Sequence, residues 1–215
     1  MTGMGKSGKL LLLAFASLSA AECQKTTLIP NTSPRHFVIF KGDHYSEEIG
    51  TPFGLKFSEV AGDTFEFQAK FDSSALYSRD APDFVIPGVN KLLGFSDCNR
   101  PHTEFSARFG WRGDLDPSRI AIFPITHVDG QFHFPNQPLA MITPGQYYTY
   151  RISLQEAPGG NSQYLFEIIV DHQTYSLAMN RGCNGSAPLR YMSFPYFGGQ
   201  SSAPHDVWID LKYSL

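Results

Sequence analysis

The sequence predicts an all-β protein built from two antiparallel sheets packed face to face. Several segments alternate apolar and polar residues with the period of two that a half-buried strand requires. Glycine and proline, with 19 and 15 residues, interrupt the 215-residue chain throughout, as many short strands and turns demand. No amphipathic run is long enough to form a helix that could organise a domain. A two-sheet β-sandwich follows from these observations.

The N-terminus has the pattern of a signal peptide. Lys6 and Lys9 precede an apolar stretch that is too short to span a bilayer. Cleavage after Ala21 would place Ser19 and Ala21 at the two positions where small residues are required. We therefore expect residues 1–21 to be a signal peptide and the mature protein to be secreted, with no membrane span.

The mature chain is expected to begin with a polar tail, residues 22–34, followed by one β-sandwich domain, residues 35–215. Lipid attachment at Cys23 is an alternative to simple secretion, although Glu22 directly before this cysteine is a poor match to the required motif. The formal net charge of −3 argues against a general nucleic-acid-binding protein. An apolar content of 42% argues against disorder.

The chain has three cysteines, and Cys23 lies at the extreme start of the mature chain. This leaves Cys98 and Cys183 as a candidate disulfide in an oxidising compartment. Because the closed loop is long, such a bridge would stabilise the fold by about 3–5 kcal/mol. Two free buried thiols are the alternative.

The predicted strands begin at residues 37–40, a short continuous apolar run. Another short strand is expected near residues 54–58. In residues 65–71 every second residue is phenylalanine or alanine and the others are polar, which indicates a strand with one aromatic face.

The stretch 91–112 is expected to be the centre of the protein. In residues 105–112 the apolar residues share one parity, and Ser106, Arg108 and Arg112 share the other. We expect the aromatic face in the core and the hydroxyl and guanidinium groups on the opposite face, where Gly110 would leave room for a ligand. A half-buried strand with solvated arginines is the alternative. The side chains expected to be buried between the sheets are Phe65, Phe67, Phe105, Phe109, Trp111 and Ile209.

The remaining strands are expected at residues 120–127, 146–155, 163–170, 175–179, 191–197 and 207–213. A glycine- and proline-containing connection at residues 157–162 predicts a hairpin between two of them. About ten strands, several of them two-faced, fit an antiparallel jelly-roll, or concanavalin A-like, sandwich.

Three short segments carry a resemblance to known proteins: NKLLGF at residues 90–95, FSARFGWR at 105–112 and FPYFGG at 194–199. Their order and spacing resemble those of the jelly-roll polysaccharide lyases of the alginate lyase and glucuronan lyase type. The resemblance covers the chain from about Phe65 to the C-terminus. It implies that the polar face of one sheet binds an acidic polysaccharide.

The resemblance also implies roles for individual residues. It places Lys91, Ser106 and Arg108 at the family's binding positions. The family supplies two tyrosines for proton transfer on the next strand, but the matching positions here are Phe123 and Ile125, and neither can transfer a proton. The sequence therefore favours binding over catalysis.

An active lyase is the first alternative. β-Elimination on a uronate requires that the substrate carboxylate be neutralised, that a base remove the adjacent proton, and that an acid protonate the leaving oxygen. Lys91 and Arg108 suit the first task, since arginine can bind a carboxylate with two parallel hydrogen bonds. For the other two, the candidates are His127 and a tyrosine such as Tyr147, with His102 as a further histidine.

The predicted binding set is therefore Lys91, Ser106, Arg108, Arg112, His127 and Tyr147. A catalytic set, if the protein is an enzyme, would be Lys91, Arg108 and His127.

No cofactor is expected, because the sequence contains no HExxH, CxxC or GxSxG motif. A structural calcium ion at a sheet edge, bound by Asp72, Asp206 or Asp210, is the one metal site considered. The predicted function is a secreted protein that recognises an acidic polysaccharide. Besides the lyase, a sandwich with a protein-binding surface is an alternative, which would show a flatter and more apolar face than a glycan groove.

Overall fold

The computed structural model describes residues 33–51, 58–78, 88–156, 160, 162–184 and 189–214. The predicted signal peptide lies outside these residues, as do most of the predicted tail and most of the strand expected at residues 54–58. The first described strand begins at Arg35.

Thirteen strands and one short 3-10 turn, Ser73–Ala75, make up the regular structure of the described residues. The strands are β1 (Arg35–Ile39), β2 (Glu47–Glu48), β3 (Thr64–Phe71), β4 (Asn90–Ser96), β5 (Ser106–Arg112), β6 (Ile120–Val128), β7 (Gln131–His133), β8 (Ala140–Ile142), β9 (Tyr148–Glu156), β10 (Ser162–Val170), β11 (Gln173–Asn180), β12 (Met192–Ser193) and β13 (Val207–Tyr213).

The strands form two antiparallel sheets. One has seven strands in the order β11-β10-β9-β3-β13-β1-β2, and the other runs β12-β4-β5-β6-β7, with β8 also pairing with β6. The expected fold class, an all-β sandwich of two antiparallel sheets, is confirmed.

The core lies between the sheets and is rich in aromatic rings. Phe67 on β3 stacks on Tyr150 on β9 with ring centroids 5.0 Å apart, and Phe109 on β5 meets Tyr150 edge-on, also at 5.0 Å. Such offset and edge-on contacts each stabilise by about 0.5–1.5 kcal/mol beyond the burial of area. The alternating residues of β3, β5 and β13 therefore correctly predicted which face of each strand lies in the core.

Five of the six side chains expected in the core are buried: Phe65, Phe67, Phe109, Trp111 and Ile209. Phe105 is only half-buried. It precedes the first residue of β5, so it lies beyond the end of the paired strand and fewer side chains cover it.

The predicted central stretch contains the expected strand, β5, and a second strand, β4, before it. β4 pairs with β5, and the register shifts by a bulge between Lys91 and Gly94. Both faces of β4 are covered, so its sequence shows no alternation. The strand expected at residues 191–197 is shorter than predicted, because β12 ends before Pro195, which has no N–H to donate to a ladder.

The expected disulfide is confirmed. Cys98 and Cys183 are bonded, with Cα atoms 6.2 Å apart. Beside them, the buried carboxylate of Asp97 accepts hydrogen bonds from Tyr164 Oη (2.7 Å) and Arg181 Nε (2.8 Å). Burial opposes ionisation of Asp97, but these hydrogen bonds outweigh it and lower its pKa. The disulfide and this carboxylate together tie the end of β4 to the other sheet.

Candidate functional site

A pocket of about 770 Å³ lies on the outer face of the six-stranded sheet. Arg108 points into it, because Phe109 and Trp111 occupy the opposite face of β5 in the core. The floor comes from β4, β5 and β6, and the walls come from residues 45–51 and 192–196. We call this the Arg108 pocket.

Arg108 is buried with only 5% of its surface exposed. Its Nη2 donates to the carbonyl oxygen of Phe194 at 2.8 Å, while its Nε has no hydrogen-bond partner. Burial lowers the pKa of Arg108 to about 10. Gly94 makes space for this side chain, since a Cβ at that position would stand 2.8 Å from Arg108 Cγ.

Lys91 is the second cation of the pocket. Its Nζ lies 5.1 Å from the ring centroid of Phe132 and 5.5 Å from that of Tyr196. Burial and the nearby charge of Arg108 lower the pKa of Lys91 to about 8. A Cβ at Gly198 would lie 2.5 Å from this Nζ, so the glycine leaves the space that the ammonium group occupies.

Neither cation forms an ion pair with a carboxylate of the described chain. The ion pairs of the described residues involve other lysines and arginines. An arginine and a lysine that are desolvated and lack a counter-ion make the pocket a site for an anion.

His127 lines the pocket, and its Nδ1 lies 3.1 Å from Ser106 Oγ. Ser106 is fully buried, so it orients His127 rather than contacting a ligand itself. Burial, followed by the charges of Arg108 and Lys91, lowers the pKa of His127 to about 4. The imidazole is therefore neutral at neutral pH. His102 also lines the pocket, and burial lowers its pKa as well.

Two tyrosines that the sequence did not single out complete the pocket. Tyr196 lines the wall, and burial raises its pKa, so its hydroxyl stays protonated. Tyr45 is 76% exposed and meets Tyr196 edge-on at 5.1 Å. Tyr196 belongs to the FPYFGG segment that carried the resemblance, whereas Tyr45 lies in a stretch with no periodic pattern.

Three residues of the predicted binding set do not line this pocket: the fully buried Ser106, Arg112 and Tyr147. Arg112 is held by Asp114, with Nη2 2.7 Å from Oδ2 and Nε 3.0 Å from Oδ1. Tyr147 precedes β9 in the other sheet, and its ring lies 4.3 Å from Lys212 Nζ. The parity of β5 did not predict the position of Arg112, because its ion pair with Asp114 holds the side chain. The residue type of Tyr147 did not predict its position, because the strand that follows it belongs to the other sheet.

The space expected beside Gly110 is filled by the protein. A Cβ there would collide with Ile125 and Val89. Together with Phe123 and Ala121, these side chains form a small buried cluster on the outer face of the six-stranded sheet. Phe123 and Ile125, which the resemblance matched to two tyrosines of the family, are thus packed apolar side chains.

The carboxylates considered for calcium are engaged elsewhere. Asp72 accepts from the backbone N–H of Ser74, Asp206 from that of Lys41, and Asp210 is paired with Lys70. The three do not converge on one site. The group of three potential metal ligands found among the described residues is Asp97, Cys98 and Cys183, in which both sulfurs are joined in the disulfide.

No protein-family model matches the chain, and no curated protein sequence matches it. In the part of the chain that the structure describes, no helix has the length and apolar character needed to cross a membrane. What the comparison with solved structures shows is a likeness of fold.

The chain is similar to a variant of alginate lyase Aly36B in complex with an alginate trisaccharide, with a TM-score of 0.52, 16% identity, and coverage of 83% of this chain and 78% of that one. It is also similar to the marine alginate lyase from Aplysia kurodai, with a TM-score of 0.52, 15% identity, and coverage of 83% of this chain and 80% of that one. The endo-β-1,4-glucuronan lyase of the fungus Trichoderma reesei is a weaker likeness, with a TM-score of 0.44, 9% identity, and coverage of 84% and 78%. The expected resemblance to jelly-roll polysaccharide lyases is confirmed as a likeness of fold.

Proposed function

We propose that the Arg108 pocket binds an acidic polysaccharide, with a uronate carboxylate on the guanidinium group of Arg108 and the ammonium group of Lys91. The observation that carries this proposal is the buried Arg108, whose Nε has no partner and whose charge is matched by no carboxylate of the described chain. A charge desolvated in this way is stabilised by a bound anion.

The shape and lining of the pocket support a sugar as the bearer of that anion. Tyr45 and Tyr196 line the pocket, and the ring of Phe132, which is 37% exposed, lies next to Lys91 outside the lining residues. Exposed rings beside hydrogen-bonding groups suit the apolar and polar faces of a pyranose. The alternative of a protein-binding face predicted a flat, apolar surface, whereas this site is a pocket that holds the cations Lys91 and Arg108, with Glu47 and Glu48 in its wall.

The expected secretion belongs to the same proposal. The signal-peptide pattern of residues 1–21 and the disulfide between Cys98 and Cys183 both suit a protein that works outside the cell, where such polymers occur.

Titration with defined uronate oligosaccharides tests the proposal. The parent protein should bind oligouronates and should not bind neutral glucans of equal length. Arg108→Ala should weaken binding about 30-fold or more, because a hydrogen-bonded charge contributes about 2 kcal/mol or more. Arg119→Ala is the matched control, since Arg119 is paired with Asp116 on the exposed surface and should leave affinity unchanged. Equal affinities for acidic and neutral chains would contradict the proposal.

A β-eliminating lyase is the second candidate, and it is favoured by the neutral His127 in the same pocket. With the His127 Nδ1–H donated to Ser106, the Nε2 lone pair can accept the C5 proton of the uronate. The electron pair then forms the C4–C5 double bond, the C4–O4 bond breaks, and the leaving oxygen takes a proton from the hydroxyl of Tyr196.

Ultraviolet absorbance of the unsaturated product separates the two candidates. An active lyase would produce this signal, and His127→Ala would abolish it while retaining binding. Binding without product formation by the parent would leave recognition as the function and rule out the elimination.

A further inference from the structure

One edge of the seven-stranded sheet differs from the other three sheet edges. β11, at this edge, pairs with β10 over eight consecutive residues without a bulge. No other strand among the described residues pairs with its outer side. At the remaining edges, β2 and β12 have two residues each and β7 has three. Three edges are thus too short to extend, and the fourth is a full-length strand.

The sequence of β11, QTYSLAMN, carries none of the features that protect an edge. An edge strand presents unpaired N–H and C=O groups, and proteins guard it with charged residues, proline, bulges or short length. β11 contains no Lys, Arg, Asp, Glu, Pro or Gly. Six of its eight residues are exposed, and the other two are half-buried. This edge is therefore competent to accept another strand.

We propose that β11 pairs antiparallel with β11 of a second copy of this chain, so that the two seven-stranded sheets become continuous. A twofold axis perpendicular to the sheet maps each face onto itself, so residues of the same face must stand opposite each other. A register centred on Leu177 satisfies this condition. It places Leu177 opposite its counterpart and Tyr175 opposite Met179 of the second copy.

The side chains of β11 favour its own copy as the partner. Tyr175, Leu177 and Met179 share the face that continues the core, and Leu177 is still 37% exposed. Pairing brings these apolar side chains together, and a thioether beside an aromatic ring is a favourable contact. The opposite face carries only small uncharged residues, so no like charges meet. A charged strand from another protein would find no counter-charge on β11.

This pairing leaves the Arg108 pocket open on both copies. β11 and β2 are opposite edges of the seven-stranded sheet, and the residues 45–51 that wall the pocket include β2. With neighbouring strands about 4.8 Å apart, the two edges are roughly 30 Å from each other. The assembly would thus carry two outward pockets, which strengthens attachment to any long repetitive polymer. The pairing itself does not depend on what the pockets bind.

Sedimentation velocity over about a hundredfold range of protein concentration tests the pairing. A single strand–strand contact is smaller than the roughly 1,200 Å² of a stable interface, so we expect a weak, concentration-dependent dimer. Leu177→Lys should keep the protein monomeric, because two like charges would meet at the twofold axis. Ile169→Lys is the matched control, since Ile169 is 36% exposed on the neighbouring β10 and is not at the edge. A parent that remains monomeric throughout would overturn the proposal.

Cysteine cross-linking tests the register without relying on the stability of the lysine variant. In a Cys23→Ser background, Leu177→Cys places two thiols opposite each other, at a Cα separation of about 4.5–5.5 Å that a disulfide can span. Copper-phenanthroline accepts the two electrons and should produce a covalent dimer. Ile169→Cys, treated identically, should stay monomeric. No cross-link for Leu177→Cys, or equal cross-linking of both variants, would overturn the pairing.

Discussion

Raising the pH should weaken the binding of a uronate oligosaccharide, and Lys91 should be the cause. In the free protein, burial and Arg108 lower the pKa of Lys91 to about 8, from an ordinary 10.5. A bound carboxylate favours the charged form and raises this pKa again. The protonated amine is the binding form, so affinity is complete below about pH 8 and is lost as pH rises above it.

The size of this effect follows from the shift. Above the free-state pKa of about 8, each pH unit costs about 1.4 kcal/mol of binding free energy, or tenfold in affinity, until the pKa of the complex is reached. Between about pH 7 and about pH 9 we therefore expect an approximately tenfold loss. Arg108, with a pKa of about 10, keeps its charge over most of this interval.

Isothermal titration calorimetry at several pH values is the assay. Lys91→Arg should bind with little pH dependence over the same interval, because an ordinary arginine side chain remains charged. Lys91→Met should bind weakly at every pH and show no loss above pH 8. An affinity of the parent that is flat from about pH 7 to about pH 9, or an equal loss in Lys91→Arg, would refute the role of Lys91.

Three further predictions concern the site and the fold. His127 has a pKa of about 4 in the folded protein, lower than its ordinary value of 6.5. The unfolded chain therefore binds this proton at a higher pH, and the free energy of unfolding falls as pH drops from about 6.5 to about 4. In urea titrations, His127→Gln should remove about 1–2 kcal/mol of this loss, allowing for the partial exposure of the ring. Gly198→Ala should displace the ammonium group of Lys91 and weaken uronate binding about tenfold. The melting temperature should stay within a few degrees of the parent. Equal binding by the variant and the parent would contradict the close approach of Lys91 Nζ to Gly198. Replacing Cys98 and Cys183 by serine should lower the free energy of unfolding by about 3–5 kcal/mol, and an unchanged urea midpoint would count against a stabilising disulfide.

The strands with one covered face were predictable from the sequence. β3, β5 and β13 alternate cleanly because one face packs in the core and the other carries polar side chains, and all three lie where the pattern placed them. β4 was not predicted as a separate strand, because both of its faces are covered and its sequence is nearly continuous in apolar residues. β7 and β8, with three residues each, are too short to show a period.

The candidate site was predictable only in part. The resemblance placed Lys91 and Arg108 together, and both line one pocket. It did not indicate Tyr45, whose position depends on an isolated bridge to Tyr196 across 151 residues of chain. Tyr147, in contrast, was predicted to be in the binding set and precedes a strand of the other sheet. An alternating pattern indicates which face of a strand a residue is on, but not the sheet to which the strand belongs.

The most direct test of the central claim compares one polymer with and without its charge. A uronate oligosaccharide and its carboxyl-reduced form have the same backbone, linkage and length. Bound to the parent protein, the uronate should saturate the Arg108 pocket, and the reduced form should bind at least about 30-fold more weakly, because the guanidinium loses its only anionic partner. Equal affinities for the two would contradict the claim that this pocket recognises an acidic polysaccharide.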